Sequence, residues 1–229
     1  LRECWTGEGA QNDGDDSGLH GDLPLLVVSA RSVPVPSRVA RALDSYALLA
    51  ALLAAPWAWL AFAYLTGRTF YGEMVHASGE WAIWCLMAAL AVTPLRRLFP
   101  RQAWTAWLLP RRRYFGVAAF AYAALHAAVY VLRLGELPRI IAEALEAGLL
   151  TGWLAFAIFV PLALTSNDAS ARKLGPAWKR LHRAVYAAAA LSFVHWILVA
   201  FDPTVAYAHL AVLAAIETLR FVPRGARAG

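Results

Sequence analysis

His126 and His195 are the residues on which chemistry could turn. The stretch KRLHRAVYAAAALSFVHW opens with a basic cluster of Lys179, Arg180 and Arg183, passes His182, and runs apolar to His195, thirteen residues after His182. At 1.5 Å per residue those two histidines stand ~20 Å apart on a helix, most of the ~30 Å of bilayer hydrocarbon. An ionisable side chain within lipid is costly and marks a functional site by default; the competing reading is a histidine hydrogen-bonded inside a bundle. A second segment has the same layout. Arg111, Arg112 and Arg113 precede an apolar run with His126 thirteen residues beyond Arg113, much as His195 lies twelve beyond Arg183. In spans running the same way, the two imidazoles lie at nearly equal depth, in the outer half of the bilayer. Two neutral imidazoles facing each other from parallel helices suit a six-coordinate haem iron. Alanines surround both, Ala118 to Ala128 near His126 and Ala187 to Ala190 before His195. A flat macrocycle needs such shallow faces, although small residues are also ordinary packing material between membrane helices.

The other histidines read differently. His182 falls about 140° around an ideal helix from His195, and the third span has Arg113, not histidine, at the matching depth. A second bis-histidine site is therefore not written in the sequence. His182 is open to three readings: ligand of a second haem with an unusual partner, contact of a flavin or quinone, or interfacial residue. His76, in GEMVHASGEW, reads as an outer-loop residue before the second span, either solvated or bonded to a haem propionate. Arg133, seven residues and ~10 Å beyond His126, is a second propionate partner. His20 and His209 are not assigned a role. Cys4 and Cys85 make neither a disulfide framework nor a CxxC motif, so redox chemistry would need a bound cofactor.

These residues must be positioned by membrane helices. The chain is 60% hydrophobic and 16% charged, a polytopic all-α composition. Six spans are expected, at Leu43–Leu65, Trp81–Phe99, Tyr114–Leu132, Leu149–Leu164, Leu181–Ala200 and Val205–Val222. Residues 1–40 read as a disordered or non-native extension, with a natural start near Val33. Residues 41–222 form the spanning domain, and 223–229 a short basic tail. Six of the fifteen acids lie in the first 22 residues, leaving 20 basic residues against 9 acids afterwards. In a membrane protein that excess reports orientation, not nucleic acid. Seventeen basic residues fall on one side of the six spans. The other side has Arg68, Arg133 and Arg139, so both termini are expected in the cytoplasm. LGELPRIIAEALEAG, between the third and fourth spans, reads as a short amphipathic helix on the outer surface or as a plain connector. No GxGxxG, P-loop, HExxH or GxSxG occurs. Electrons would thus come from a separate reductase or quinol and leave to a separate acceptor.

TPLRRL (Thr93 to Leu98), RRRYFGVAAFAYAALH (Arg111 to His126), LTSNDASARKLGPAWKRLHRAVY (Leu164 to Tyr186) and HASGEWA together resemble the MsrQ family over roughly Val33 to Val222. These proteins are the bacterial membrane subunits of the MsrPQ methionine sulfoxide reductase system. The resemblance implies a ferric-reductase-like six-helix domain in the inner membrane, binding haem b and FMN. It further implies electrons taken from the quinone pool or a cytosolic flavin reductase and passed to MsrP, a periplasmic molybdopterin enzyme that repairs oxidised proteins. The sulfoxide chemistry then belongs to the partner, and this chain is an electron-transfer subunit, not itself the enzyme. The family's haem histidines carry over onto His126, His182 and His195; Trp196 departs from the Tyr frequent there. The resemblance fixes no FMN residues. Two other readings stand beside it: a ferric or other metal reductase cytochrome, and a transporter that passes protons or metal ions along intramembrane histidines.

Overall fold

In a computed structural model of the chain, residues 45–221 are described. The acidic tail with His20, the basic residues Arg31, Arg38 and Arg41, the proposed start near Val33 and the 223–229 tail lie outside the described residues. Six helices are long and apolar enough to cross a membrane: Tyr46–Leu65, Tyr71–Leu98, Ala103–Leu134, Ala147–Leu164, Pro176–Val199 and Thr204–Phe221. They are called the first to sixth spans below.

The second and third spans pack along most of their lengths, as do the fourth and fifth, giving two helical hairpins joined through the third and fourth. The sixth packs on the second and fifth. Leu86 and Leu90 of the second span, Ala119 and Tyr122 of the third, Phe159 of the fourth, and Ala188 and Phe193 of the fifth form the core. The first span buries only Ala63. It is tied to the third by Trp57 Nε1–H donating to Ala121 O (3.0 Å) and Tyr122 O–H donating to Leu53 O (3.0 Å).

Two spans are longer than expected. The second begins at Tyr71, ten residues before Trp81. YGEMVHASG is polar and glycine-containing and reads as loop. Yet Met74 and Ser78, one turn apart, have no exposed surface, so burial of that face overrides local preference. Thr69 Oγ1 bonds Glu73 Oε2 at 2.7 Å across the start. His76 is therefore a helical residue, not a loop residue. The third span begins at Ala103, eleven residues before Tyr114, and carries Arg111–Arg113 inside it. Arg111 is buried with its guanidinium over Trp107 (4.0 Å) and Tyr46 (4.6 Å), and it bonds Trp107 O at 2.8 Å. Those aromatic faces and the carbonyl accommodate the charge there.

The connector between the third and fourth spans does contain a helix, Leu137–Ala144, with Pro138 in its first turn. Gly135 takes a left-handed φ of 71° at the end of the third span, a conformation other residues adopt at a cost. Leu137, Ile141 and Leu145 are exposed on one side. Arg139 pairs with Glu143 at 2.8 Å, and Tyr130 donates to Glu143 at 3.1 Å. This pairing holds the Glu143 carboxyl below the usual carboxylate range, Arg139 contributing most.

Candidate functional site

A cavity of about 780 Å³ lies among the second to fifth spans. Ala119 and Ala123 floor it on the third span, Ala155 and Phe159 on the fourth, and His126 and His195 enter it from the third and fifth. The two imidazole centres are 6.1 Å apart, with ring planes at 89°. The structure thus brings together the pair that the depth comparison matched, and it places alanines on the cavity wall.

Each ring is anchored through Nδ1. His126 Nδ1 lies 2.9 Å from Val75 O, and His195 Nδ1 lies 2.8 Å from Gly148 O. A carbonyl oxygen only accepts, so in both rings Nδ1 carries the proton. The neutral ring then has its lone pair on Nε2, the atom a metal takes. Ser78 Oγ stands 3.4 Å from His126 Nδ1.

Two glycines make these approaches possible, and sequence reasoning passed over both. A Cβ on Gly152 would lie 2.7 Å from His195 Nδ1, and one on Gly79 would lie 3.3 Å from His126 Nδ1. The signal lay in the hydroxyl–glycine pairs Ser78–Gly79 and Thr151–Gly152, one span before each histidine. Spacing alone does not say which backbone a ring rests on.

The remaining expected residues separate from this pair. His76 lines the cavity, its Nε2 3.7 Å from Glu80 Oε2. His182 does not line it. The fifth span is broken there, one segment ending at His182 and the next beginning at Val185. The break leaves His182 stacked on Trp178 (3.9 Å), bonded to Trp178 O (3.1 Å) and 3.4 Å from Ser166 Oγ. Arg133 also stays off the cavity wall, with its guanidinium 5.9 Å from the Tyr71 ring centre. His209 bonds Val205 O and meets Trp84 and Trp196. Among the described residues no cluster of three or more His, Cys, Asp or Glu is arranged to hold a metal ion. A metal held by the two histidines would need ligands beyond these side chains.

Residues 78–193 match the family described as "Ferric reductase like transmembrane component". That segment opens on Ser78, contains His126 and Gly152, and stops two residues short of His195. Similar proteins include a "Protein-methionine-sulfoxide reductase heme-binding subunit MsrQ" from Rhizobium meliloti (strain 1021), 37% identical over 149 residues, covering 62% of this chain and 67% of that one. A protein of the same name from Herminiimonas arsenicoxydans is 34% identical over 161 residues, covering 67% and 71%. Another, from Brucella ovis, is 43% identical over 126 residues, covering 54% and 55%. No solved structure matches.

Proposed function

Because the chain belongs to the MsrQ members of the ferric-reductase-like transmembrane family, we propose that it is the haem-binding, electron-carrying membrane subunit of a protein-methionine-sulfoxide reductase system. The observation that carries the reading is the imidazole pair. With Nδ1 protonated, each ring keeps its lone pair on Nε2, and ring centres 6.1 Å apart leave room for one iron that both would hold. The cavity of about 780 Å³ is within the range of cofactor sites. His126 and His195 would be the axial ligands of haem b, which supplies reversible one-electron exchange.

The chain's own residues do the rest. Val75 O and Gly148 O hold the Nδ1 protons, which fixes the tautomer and ring orientation and raises Nε2 basicity. Ala119, Ala123 and Ala155 keep the helix faces shallow, while Phe156 and Phe159 exclude water. His76, on the cavity wall, is the residue we assign to a propionate. Arg133, off the cavity wall with its guanidinium 5.9 Å from the Tyr71 ring centre, is not. His182 serves as an inner-end residue near the basic cluster, the region where an electron donor would dock.

With the basic end cytoplasmic, both histidines lie toward the periplasm. Electrons would then leave toward a periplasmic MsrP-type molybdopterin partner. Quinol or a cytosolic flavin reductase is the proposed donor, with FMN as the second carrier that the family resemblance implies. The test is a dithionite-reduced minus oxidised absorption spectrum of detergent-purified protein beside His126→Ala and His195→Ala. A sharp low-spin b-type α-band in the parent and its loss in both variants is expected. A colourless parent after expression with ample haem would overturn the proposal and bring an ion transporter forward.

A further inference from the structure

The two histidine anchors are built alike. On the second span, Val75 O accepts from His126 Nδ1 (2.9 Å); Ser78 Oγ donates chiefly to Met74 O (2.7 Å) and more weakly to Val75 O (3.1 Å), and Gly79 follows. On the fourth, Gly148 O accepts from His195 Nδ1 (2.8 Å) and from Thr151 Oγ1 (2.7 Å), and Gly152 follows. In each copy the carbonyl is at position i, the hydroxyl at i+3 and the glycine at i+4, on the span preceding the one that carries the histidine.

Resting on the haem reading above, we propose that Ser78–Gly79 and Thr151–Gly152 are two copies of one positioning device. The device sets the plane of each axial imidazole and moderates its donor strength.

The glycine half is steric. The ring lies against bare helix backbone, and a Cβ at Gly152 would meet His195 Nδ1, Cε1 and Cγ at 2.7, 2.9 and 3.0 Å. The Gly79 copy is looser, at 3.3 and 3.4 Å from the His126 ring. Gly116 of the third span has nothing within 4 Å of a Cβ and is a built-in control. The hydroxyl half is electronic. A carbonyl has two lone pairs, and each of these already serves its own helix ladder. At Gly148 the Thr151 hydroxyl bonded to the same oxygen competes with the imidazole N–H, so His195 gains less imidazolate character than an unshared carbonyl would give it; at Val75 the competition is weaker, because Ser78 donates chiefly to Met74 O. Weaker donation from the ligand favours the reduced metal and raises the midpoint potential.

The experiment uses haem-loaded, detergent-purified protein, read by EPR of the ferric state and by potentiometric titration. Perpendicular axial planes leave two iron d orbitals nearly degenerate and move the low-field feature to higher g than parallel planes do. With planes at 89°, the parent is expected to show that high-g feature. Gly152→Ala is expected to shift or abolish it, Gly79→Ala to shift it less, and Gly116→Ala to superimpose on the parent. Thr151→Val, which keeps the side-chain size, is expected to retain the g values and lower the midpoint potential. Parent spectra in Gly152→Ala, or an equal shift in Gly116→Ala, would overturn the steric half. An unchanged or raised potential in Thr151→Val would overturn the electronic half. The same anchors are read without haem by ¹⁵N-histidine NMR. Nδ1-protonated rings at His126 and His195, with His195 alone disturbed in Gly152→Ala, would support the anchor even if the parent bound no haem; an undisturbed His195 would refute it. A haem-free parent would refute the haem reading.

Discussion

Removing the two hydrogen bonds that tie the first span to the third tests how that span is held. Apart from Ala63 the first span has no fully buried residue, and Trp57–Ala121 O and Tyr122–Leu53 O are its hydrogen bonds to the third span, beside the contacts of Tyr46 with Tyr114 and Arg111. Trp57→Phe with Tyr122→Phe removes both donors and keeps the rings, including the stack of Trp81 on residue 122 (5.7 Å). Interhelical hydrogen bonds in membranes average ~0.6 kcal/mol with a maximum of ~1.7. The pair therefore costs about 1.2 kcal/mol, with a ceiling near 3.4, an ~8-fold to ~300-fold rise in the detached population. Cys85 reports it. The thiol is buried on the second span in the cluster that Leu53 and Leu60 cover. In a Cys4→Ser background, the rate of labelling by a membrane-permeant maleimide follows the open population when reclosing is fast. Each single variant should speed labelling a few-fold, and the double variant by roughly the product. An unchanged rate in the double variant would refute the reasoning, because the first span would then be held by the Tyr46 contacts and the packing of Leu53 and Leu60 and not by these hydrogen bonds.

Other outcomes follow from the same contacts. Glu143, held low by Arg139 and Tyr130, docks the Leu137–Ala144 helix; this contribution is full above the ordinary carboxylate pKa of ~4.3 and fades as pH falls through the lowered value. Hydrogen exchange across residues 137–146 should accelerate at acid pH in the parent and be nearly pH-independent in Glu143→Gln, apart from the intrinsic rate. Glu217 pairs with Arg220, which also donates to Tyr186 O–H oxygen (2.5 Å) and Leu90 O (3.3 Å), linking the second, fifth and sixth spans. Arg220→Met, which removes the donor shared by Glu217, Tyr186 and Leu90, should cost about 1.5–3 kcal/mol, read as a lower Tm in detergent with the haem spectrum retained. Haem depletion should leave a less stable protein, since a ligand at a hundredfold excess over its Kd adds about 2.7 kcal/mol; trypsin digestion with and without added haem measures this.

What could be read from the chain was whatever repeats along one helix. The six apolar runs and the common depth of His126 and His195 depend only on rise per residue and on where arginines stop, and the structure has both. The starts of the second and third spans were not legible. Met74 and Ser78 become helix-forming through what they are buried against, and Arg111 is accommodated by Tyr46 from another helix. The glycine anchors stayed hidden for the same reason. Gly79 and Gly152 look like weak points in a helix until the ring resting on each is known. The contacts of His182 with Trp178 and Ser166, and the place of Arg133 near Tyr71 and off the cavity wall, come from other turns and helices and could not be read from spacing.

The lightly attached first span also bears on how the protein is made. Its hydrogen-bond tethers reach Ala121 and Tyr122, residues synthesised more than fifty positions after Leu65, so those bonds form only once the third span is made. Its uninterrupted apolar surface, free of charge from Tyr46 to Leu65, suits it to lipid until then. The second span, with Glu73, His76, Ser78 and Glu80, is ill suited to solitude; only the residues 99–102 connection separates it from the third span, its main packing partner. The first of the described spans is thus suited to stand in lipid before its hydrogen bonds form, whereas the second is suited to enter the bilayer with the third.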